Sequence, residues 1–117
     1  MDQNLRASLQ TNTFYYFMIV MVLGTIAQLS TMMVIVFADI TGKEDLVAAS
    51  VIGPCLVAAF GIIRMLTNMS YLVSDMDDSM RSTAYGAGVS AIPFAALKFV
   101  FALIFIVVAA VQLMAIY

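Results

Sequence analysis

The sequence contains no histidine, a single cysteine and charged residues at only 10% of its 117 positions. Without histidine, the chain lacks the usual axial ligand of haem and the commonest protein ligand of zinc, copper and non-haem iron. The single cysteine, Cys55, lies in an apolar run, so it cannot form an internal disulfide, and a small buried core residue is its expected role. We therefore expect no metal centre and no cofactor.

The shortage of charge also limits the partners that the chain can have. Five cations and seven anions give a net charge of −2, which leaves no broad basic surface for a nucleic acid. Hydrophobic residues make up 64% of the chain, and a water-soluble domain of this size cannot bury so much apolar surface. The composition predicts an integral membrane protein whose main surroundings are lipid.

Three uncharged runs are long enough to cross about 30 Å of hydrocarbon as helices, the second and third only just. They predict an all-α fold with three transmembrane helices. The predicted segments are a cytoplasmic N-terminal segment (1–13), transmembrane helix 1 (14–38), an acidic outer turn (39–45), transmembrane helix 2 (46–63), a cytoplasmic amphipathic helical connection (64–98) and transmembrane helix 3 (99–117).

The cations are distributed unequally between the two sides that this topology defines. Lys43 lies in the predicted outer turn, whereas the other four of the five cations lie in the N-terminal segment and the second connection. Positive residues in short loops favour the cytoplasmic side of a membrane. We therefore predict a multi-pass protein of the bacterial inner membrane, with its N-terminus in the cytoplasm and its C-terminus outside.

Beyond Arg64 the apolar residues continue at helical spacing, with polar residues on the opposite face. This periodicity predicts that the second helix extends past the bilayer to about Met80–Ser82. The second and third helices would then form a long helical hairpin that projects into the cytoplasm. Its apolar face is an exposed methionine stripe, which either the third helix or a partner protein must cover; the stripe consists of Met65, Met69, Met76 and Met80.

Two cations flank this hairpin at equal distances in sequence from its predicted turn. Arg64 and Lys98 are equally far from Arg81, so a hairpin turning near Arg81 brings them to one level. One interpretation is that these three cations contact a lipid phosphate or an acidic partner residue. The other, which we favour, is that Arg64 and Lys98 only extend their charged ends to the membrane interface.

Small and polar residues mark positions where helices are expected to pack. Gln28 lies near the middle of the first run, where it either lines an aqueous path or, the favoured interpretation, makes an interhelical hydrogen bond. Pro54 is expected to kink the second helix and to leave the Ser50 carbonyl without its helical partner. Pairs of small residues four positions apart suit close helix contact; they are Ala49 with Gly53 and Ala84 with Gly88.

Side-chain groups that carry catalysis or coupled transport are absent from the expected places. No Asp, Glu, Lys or Arg lies in the middle of a predicted span, where a coupled transporter normally needs one. The sequence has no nucleophile–base pair and no glycine-rich phosphate loop. Asp75, Asp77 and Asp78 match no calcium-binding spacing and are expected to form a solvated helix end. We expect no enzymatic activity and no small-molecule substrate.

These features predict a non-catalytic structural or accessory subunit of a larger membrane complex. Its partners would be membrane lipid and either other membrane subunits or copies of itself. The alternative is a self-assembling membrane protein, either a holin-like pore former or a pilin-like protomer of a secretion or conjugation filament. The small size and the three helices suit a holin, although a holin is expected to end in a strongly charged tail that this sequence does not have. The long hydrophobic helical hairpin suits a pilin-like protomer.

Overall fold

The computed structural model describes residues 2–117, which form an elongated bundle of α-helices measuring 61 × 22 × 18 Å. No strand is present in this part of the chain, so the predicted all-α class is confirmed. The helices are α1 (Gln3–Phe37), α2 (Glu44–Ser74), α3 (Asp78–Arg81), α4 (Ala84–Ser90) and α5 (Phe94–Ile116).

Three of these helices, α1, α2 and α5, are long and apolar enough to cross a membrane. Most of their apolar surface points away from the bundle: only 11%, 33% and 22% of their most apolar windows are buried, respectively. A water-soluble bundle would hide such surface in its core. Three helices of this kind fit the multi-pass membrane protein expected from the sequence.

The N-terminal segment is part of the first long helix. Asp2 caps α1 by accepting a hydrogen bond from the Asn4 backbone N–H at 3.3 Å, and the helix then continues without a break to Phe37. The change from polar to apolar composition near residue 14 is therefore no structural boundary. At 1.5 Å per residue α1 is about 52 Å long, well beyond the roughly 30 Å of a hydrocarbon core.

The connection between the second and third long helices differs from the predicted one. The helix that begins at Glu44 ends at Ser74, earlier than the predicted Met80–Ser82. Two new helix starts explain the difference: Asp77 accepts from the Met80 N–H and caps α3, and Thr83 accepts from the Gly86 N–H and caps α4. Two short helices thus replace the predicted continuous arm, and the last long helix begins at Phe94, directly after Pro93.

The turn between α1 and α2 is short. Gly42 has a φ of +81°, a left-handed conformation that suits glycine, and no side chain lies near it. Asp39 accepts a hydrogen bond from the Thr41 N–H at 3.1 Å. Hydrogen bonds from the Thr41 side chain and backbone stabilise the charged carboxylate and lower the pKa of Asp39. Glu44 and Asp45 occupy the first turn of α2, where the helix dipole favours negative charge.

The central helix of the bundle is α2, which packs along both α1 and α5, whereas α1 and α5 contact each other much less. Small residues allow the closest approach. Gly24 of α1 lies against the Phe105 ring of α5 and against Ala58 of α2, so all three helices meet at this point. One face of α2 supplies most of the core, which includes Val47, Ala48, Val51, Cys55, Ala58, Ile62 and Leu66.

Hydrogen bonds in the apolar middle of the bundle connect α1 with α5. Gln28 donates to the Phe105 carbonyl at 2.9 Å, and Gln112 donates to the Gln28 carbonyl at 2.8 Å. Gln112 is 4% exposed, and its Oε1 has no partner within residues 2–117. The Cys55 thiol also points at the Phe105 carbonyl, with the sulfur 3.5 Å away. Since these side chains come from all three long helices, they fix one arrangement of the bundle.

We predict that Gly24→Ala destabilises the bundle by about 1–3 kcal/mol, because the methyl group has no room. An added Cβ would lie 2.8 Å from the Phe105 ring and 3.0 Å from the Ala58 side chain. Unfolding can be followed in detergent by the reaction of the single, buried Cys55 with a maleimide.

Gly88→Ala is the matched control, since nothing lies within 4 Å of a Cβ at this helical position. It should leave the free energy of unfolding unchanged or raise it by up to about 1 kcal/mol through better helix propensity. Equal losses of stability in the two variants would contradict the close packing at Gly24.

Candidate functional site

A buried cation lies where the start of α1 meets the end of α2. Arg6 is 2% exposed. Its Nε donates to Oε1 of Gln3 at 3.0 Å, and its Nη1 donates to Oε1 of Gln10 at 2.6 Å and weakly to the Leu72 carbonyl at 3.5 Å. All of these acceptors are neutral, and Arg6 forms no ion pair within residues 2–117. The charge of an arginine persists when the side chain is buried, so this site is electropositive.

The end of α2 accounts for the position of this arginine. The last carbonyl groups of a helix have no helical N–H to bind, and together they carry the negative end of the helix dipole. In α2 these carbonyls receive donors from other parts of the chain. Besides Arg6 at Leu72, Arg81 donates to the Ser74 carbonyl at 2.5 Å and Gln3 donates to the Asp75 carbonyl at 3.1 Å. Two cations thus oppose the negative end of α2.

A groove of about 490 Å³ opens beside Arg6, between α1, α2 and the α3–α4 connection. Gln10 extends across it and donates to the hydroxyl of Tyr85 at 2.9 Å, which connects α1 with α4. The wall is mixed, with polar groups near Arg6 and apolar side chains elsewhere. We call this feature the Arg6 groove; its lining is Arg6, Ala7, Gln10, Thr11, Phe14, Tyr15, Met69, Met80 and Tyr85.

The three cations predicted to contact phosphate do not form one cluster. Lys98 donates to the Thr67 hydroxyl at 3.4 Å and lies 5.4 Å from the centre of the Phe99 ring. Thr67 is one turn beyond Arg64 on α2, so Arg64 and Lys98 do lie at similar levels. Arg64 is exposed and forms no hydrogen bond or ion pair with any other described residue. Arg81 is separate from both, because it binds the end of α2.

Among the residues predicted to pack helices, only Gln28 joins two helices through a hydrogen bond. Pro54 is half-buried inside α2, beside a small notch between α1 and α2. Within this chain the helices turn other faces toward each other, so helix contact at the small-residue pairs stays a prediction. The four residues of these pairs are exposed: Ala49, Gly53, Ala84 and Gly88.

The methionine stripe is less exposed than predicted. Met76 is 4% exposed and belongs to the core, and the other three methionines are half-buried. The first turns of α1 account for part of this cover, since they face Met69 and Met80 across the Arg6 groove. The third helix and a partner were the predicted covers, and the polar N-terminal segment was not among them. Contact of the stripe with a partner stays a prediction.

The acidic residues at this end of the bundle are exposed. Within residues 2–117, no group of three or more His, Cys, Asp or Glu side chains is placed to hold a metal ion. Asp75, Asp77 and Asp78 are exposed, and Asp77 uses its carboxylate to cap α3. Their exposure fits a solvated helix end.

Comparison with known proteins found no relative of this chain. Neither the protein-family models, nor the curated proteins, nor the solved structures contain a match to this chain. The class is therefore defined by the fold alone: an all-α chain with three helices suited to crossing a membrane.

We predict that Arg6→Met lowers the free energy of unfolding by about 1–3 kcal/mol, because it leaves buried acceptors without donors. Gln10 is itself buried, and both it and the Leu72 carbonyl would lose the Arg6 guanidinium. Reaction of Cys55 with a maleimide during detergent unfolding again provides the measurement.

Arg81→Met is the matched control, since Arg81 also donates to a carbonyl of α2 but is exposed. An exposed hydrogen bond of this kind should cost no more than about 1 kcal/mol. If Arg6→Met lowers the free energy of unfolding no more than Arg81→Met does, the buried hydrogen bonds of Arg6 do not stabilise the end of α2.

Proposed function

We propose that this chain is a non-catalytic structural or accessory subunit of a larger membrane complex, acting through helix packing and contacts with partners or lipid. The observation that carries the proposal is the outward face of α2. Ala49 and Gly53 lie on this face, and nothing lies within 4 Å of a Cβ at Gly53. Small residues four positions apart allow the backbone of another helix to approach closely.

The backbone beside this pair offers an additional reason for association. Pro54 has no N–H, so it cannot make the helical hydrogen bond to the Ser50 carbonyl. Ser50 and Gly53 are both exposed. In lipid, a carbonyl without a donor is costly, and a polar side chain of a neighbouring helix would relieve that cost.

The packing between the helices also favours a role in an assembly over transport by one copy. Ile62 and Phe105 lie at the centre of the bundle and are essentially buried. Apolar side chains fill the space between the three long helices. A water-filled path would therefore have to form between several copies or between different subunits.

We further propose that α1, α2 and α5 cross the bacterial inner membrane, with the N-terminus and the α3–α4 connection in the cytoplasm. The cation asymmetry supports this orientation. Tyr15 and Tyr16 lie on α1 near its change from polar to apolar composition, where tyrosines favour the membrane interface. The projecting cytoplasmic part then consists of the start of α1, the end of α2 and the two short helices.

For the orientation, we expect green fluorescent protein to fluoresce when fused at the N-terminus or inserted after Thr83. Alkaline phosphatase, which is active only outside the cytoplasm, should be active when fused after Tyr117. An inactive phosphatase at Tyr117 together with a fluorescent reporter there would reverse the proposed topology.

For the assembly, we predict that Ala49→Leu releases the chain from its complex, because the larger side chain blocks close helix contact. The measurement is native mass spectrometry after extraction from the native membrane in mild detergent. Different chains at a fixed ratio would support an accessory subunit. A large assembly of this chain alone would favour the self-assembling alternative.

Ala110→Leu is the matched control, since Ala110 is an equally small, exposed residue on α5. It should leave the complex intact. A wild-type chain that is a stable monomer in mild detergent would contradict both forms of assembly. Loss of the complex in both variants would contradict the proposal that the Ala49–Gly53 face is the specific contact surface.

A further inference from the structure

The Arg6 groove contains a positive charge that the chain does not neutralise with a carboxylate. Arg6 is almost fully buried, and its three hydrogen bonds go to two amide oxygens and one backbone carbonyl. The end of α2 supplies only a partial negative charge, equivalent to about half an electron charge. A buried charge is normally paired, so the site is suited to a counter-ion from outside the chain.

Two hydrogen-bond donors in the groove have no acceptor among residues 2–117. None of the hydrogen bonds of Arg6 within residues 2–117 uses its Nη2. The Tyr85 hydroxyl accepts from Gln10, and no described residue accepts its proton. The carboxylates nearest in sequence to the groove residues are exposed and do not line the groove; they are Asp2, Asp75, Asp77 and Asp78. Free donors without carboxylates select for an anion with several acceptor oxygens.

Most of the remaining wall of the groove is apolar. Phe14, Met69 and Met80 border it, and Phe14 begins the first uncharged run. The groove therefore extends from a buried cation to the level where the chain becomes apolar. Its volume of about 490 Å³ lies in the range of small-molecule sites. This combination suits a phosphate whose remaining part is apolar.

We propose that the Arg6 groove binds a phosphate group, donated to by Arg6 and Tyr85, and that an anionic phospholipid headgroup supplies it. A planar guanidinium with a free terminal nitrogen is well suited to phosphate oxygens, and the tyrosine hydroxyl adds a second donor. The lipid glycerol and the start of its acyl chains would then lie against Phe14 and Met69. The site belongs to a single copy of the chain, so it rests on the proposed membrane location but not on the proposed assembly.

The test is a lipid titration of the purified full-length chain in mild detergent, followed by native mass spectrometry. The probes are phosphatidylglycerol and phosphatidylcholine with the same acyl chains. We expect phosphatidylglycerol to bind more tightly, because its headgroup has no cation to oppose Arg6. Tyr85→Phe should lower the affinity for the first bound phosphatidylglycerol molecule by about tenfold, since it removes one hydrogen bond to a charged group.

Tyr71→Phe is the matched control. Tyr71 and Tyr85 are similarly exposed, at 59% and 61%, and lie at the same end of the bundle, but Tyr71 does not line the groove. Arg6→Lys is the second variant, because it retains the charge and loses the planar donor arrangement. Slow reaction of Cys55 with a maleimide shows that each variant is folded, so weaker binding is not a result of unfolding.

A further titration with inorganic phosphate identifies the source of the phosphate group. Displacement of phosphatidylglycerol by inorganic phosphate, with the same dependence on Tyr85, would support the site with a free phosphate as its ligand. Binding of the lipid that phosphate does not displace would support the lipid headgroup.

Two results would overturn the proposal. One is equal binding of both lipids together with no binding of inorganic phosphate. The other is a preference for phosphatidylglycerol that Arg64→Gln abolishes while Tyr85→Phe and Arg6→Lys leave it unchanged. That second result would assign the anion to the exposed cations instead of the Arg6 groove.

Discussion

The carbonyl groups at the end of α2 need hydrogen-bond donors that α2 itself cannot provide. The chain meets this requirement with side chains from two distant segments, Gln3 and Arg6 from the start of α1 and Arg81 from α3. These contacts hold the first turns of α1 against α2 and bring α3 back across the helix end. The Arg6 groove exists because of this arrangement, since its walls come from the same segments.

The middle of the bundle depends on a different kind of contact. Gly24 lets the Phe105 ring and Ala58 approach the α1 backbone, and Gln28 and Gln112 add hydrogen bonds between α1 and α5. In lipid, packing of this kind has to replace the hydrophobic effect as the main source of helix association. The fold thus combines close packing at its centre with polar cross-links at its Arg6 end.

The number of long helices was predictable from the sequence, because runs of apolar residues without charge leave few other structures possible. Several features were not. The N-caps at Asp77 and Thr83 start two short helices where one continuous arm was predicted. A hydropathy pattern does not reveal such caps. In the sequence, Arg6 is an ordinary cation in a polar segment. Only its spacing of four residues from Gln10 indicates that the two side chains can form a hydrogen bond on one helix face. Small-residue pairs occur on outward faces as well as inward ones, so Ala49 and Gly53 could not be assigned to a side.

The long helices differ in length, and this difference has a consequence for hydrophobic matching. With 35 and 31 residues, α1 and α2 are longer than a bilayer requires, whereas α5 has 23 residues, about 35 Å. In a bilayer, α5 alone would match the hydrocarbon thickness closely. A change in membrane thickness would therefore affect the fit of α5 first. The tilt that lets this shortest helix match the bilayer would then set the tilt of the whole bundle.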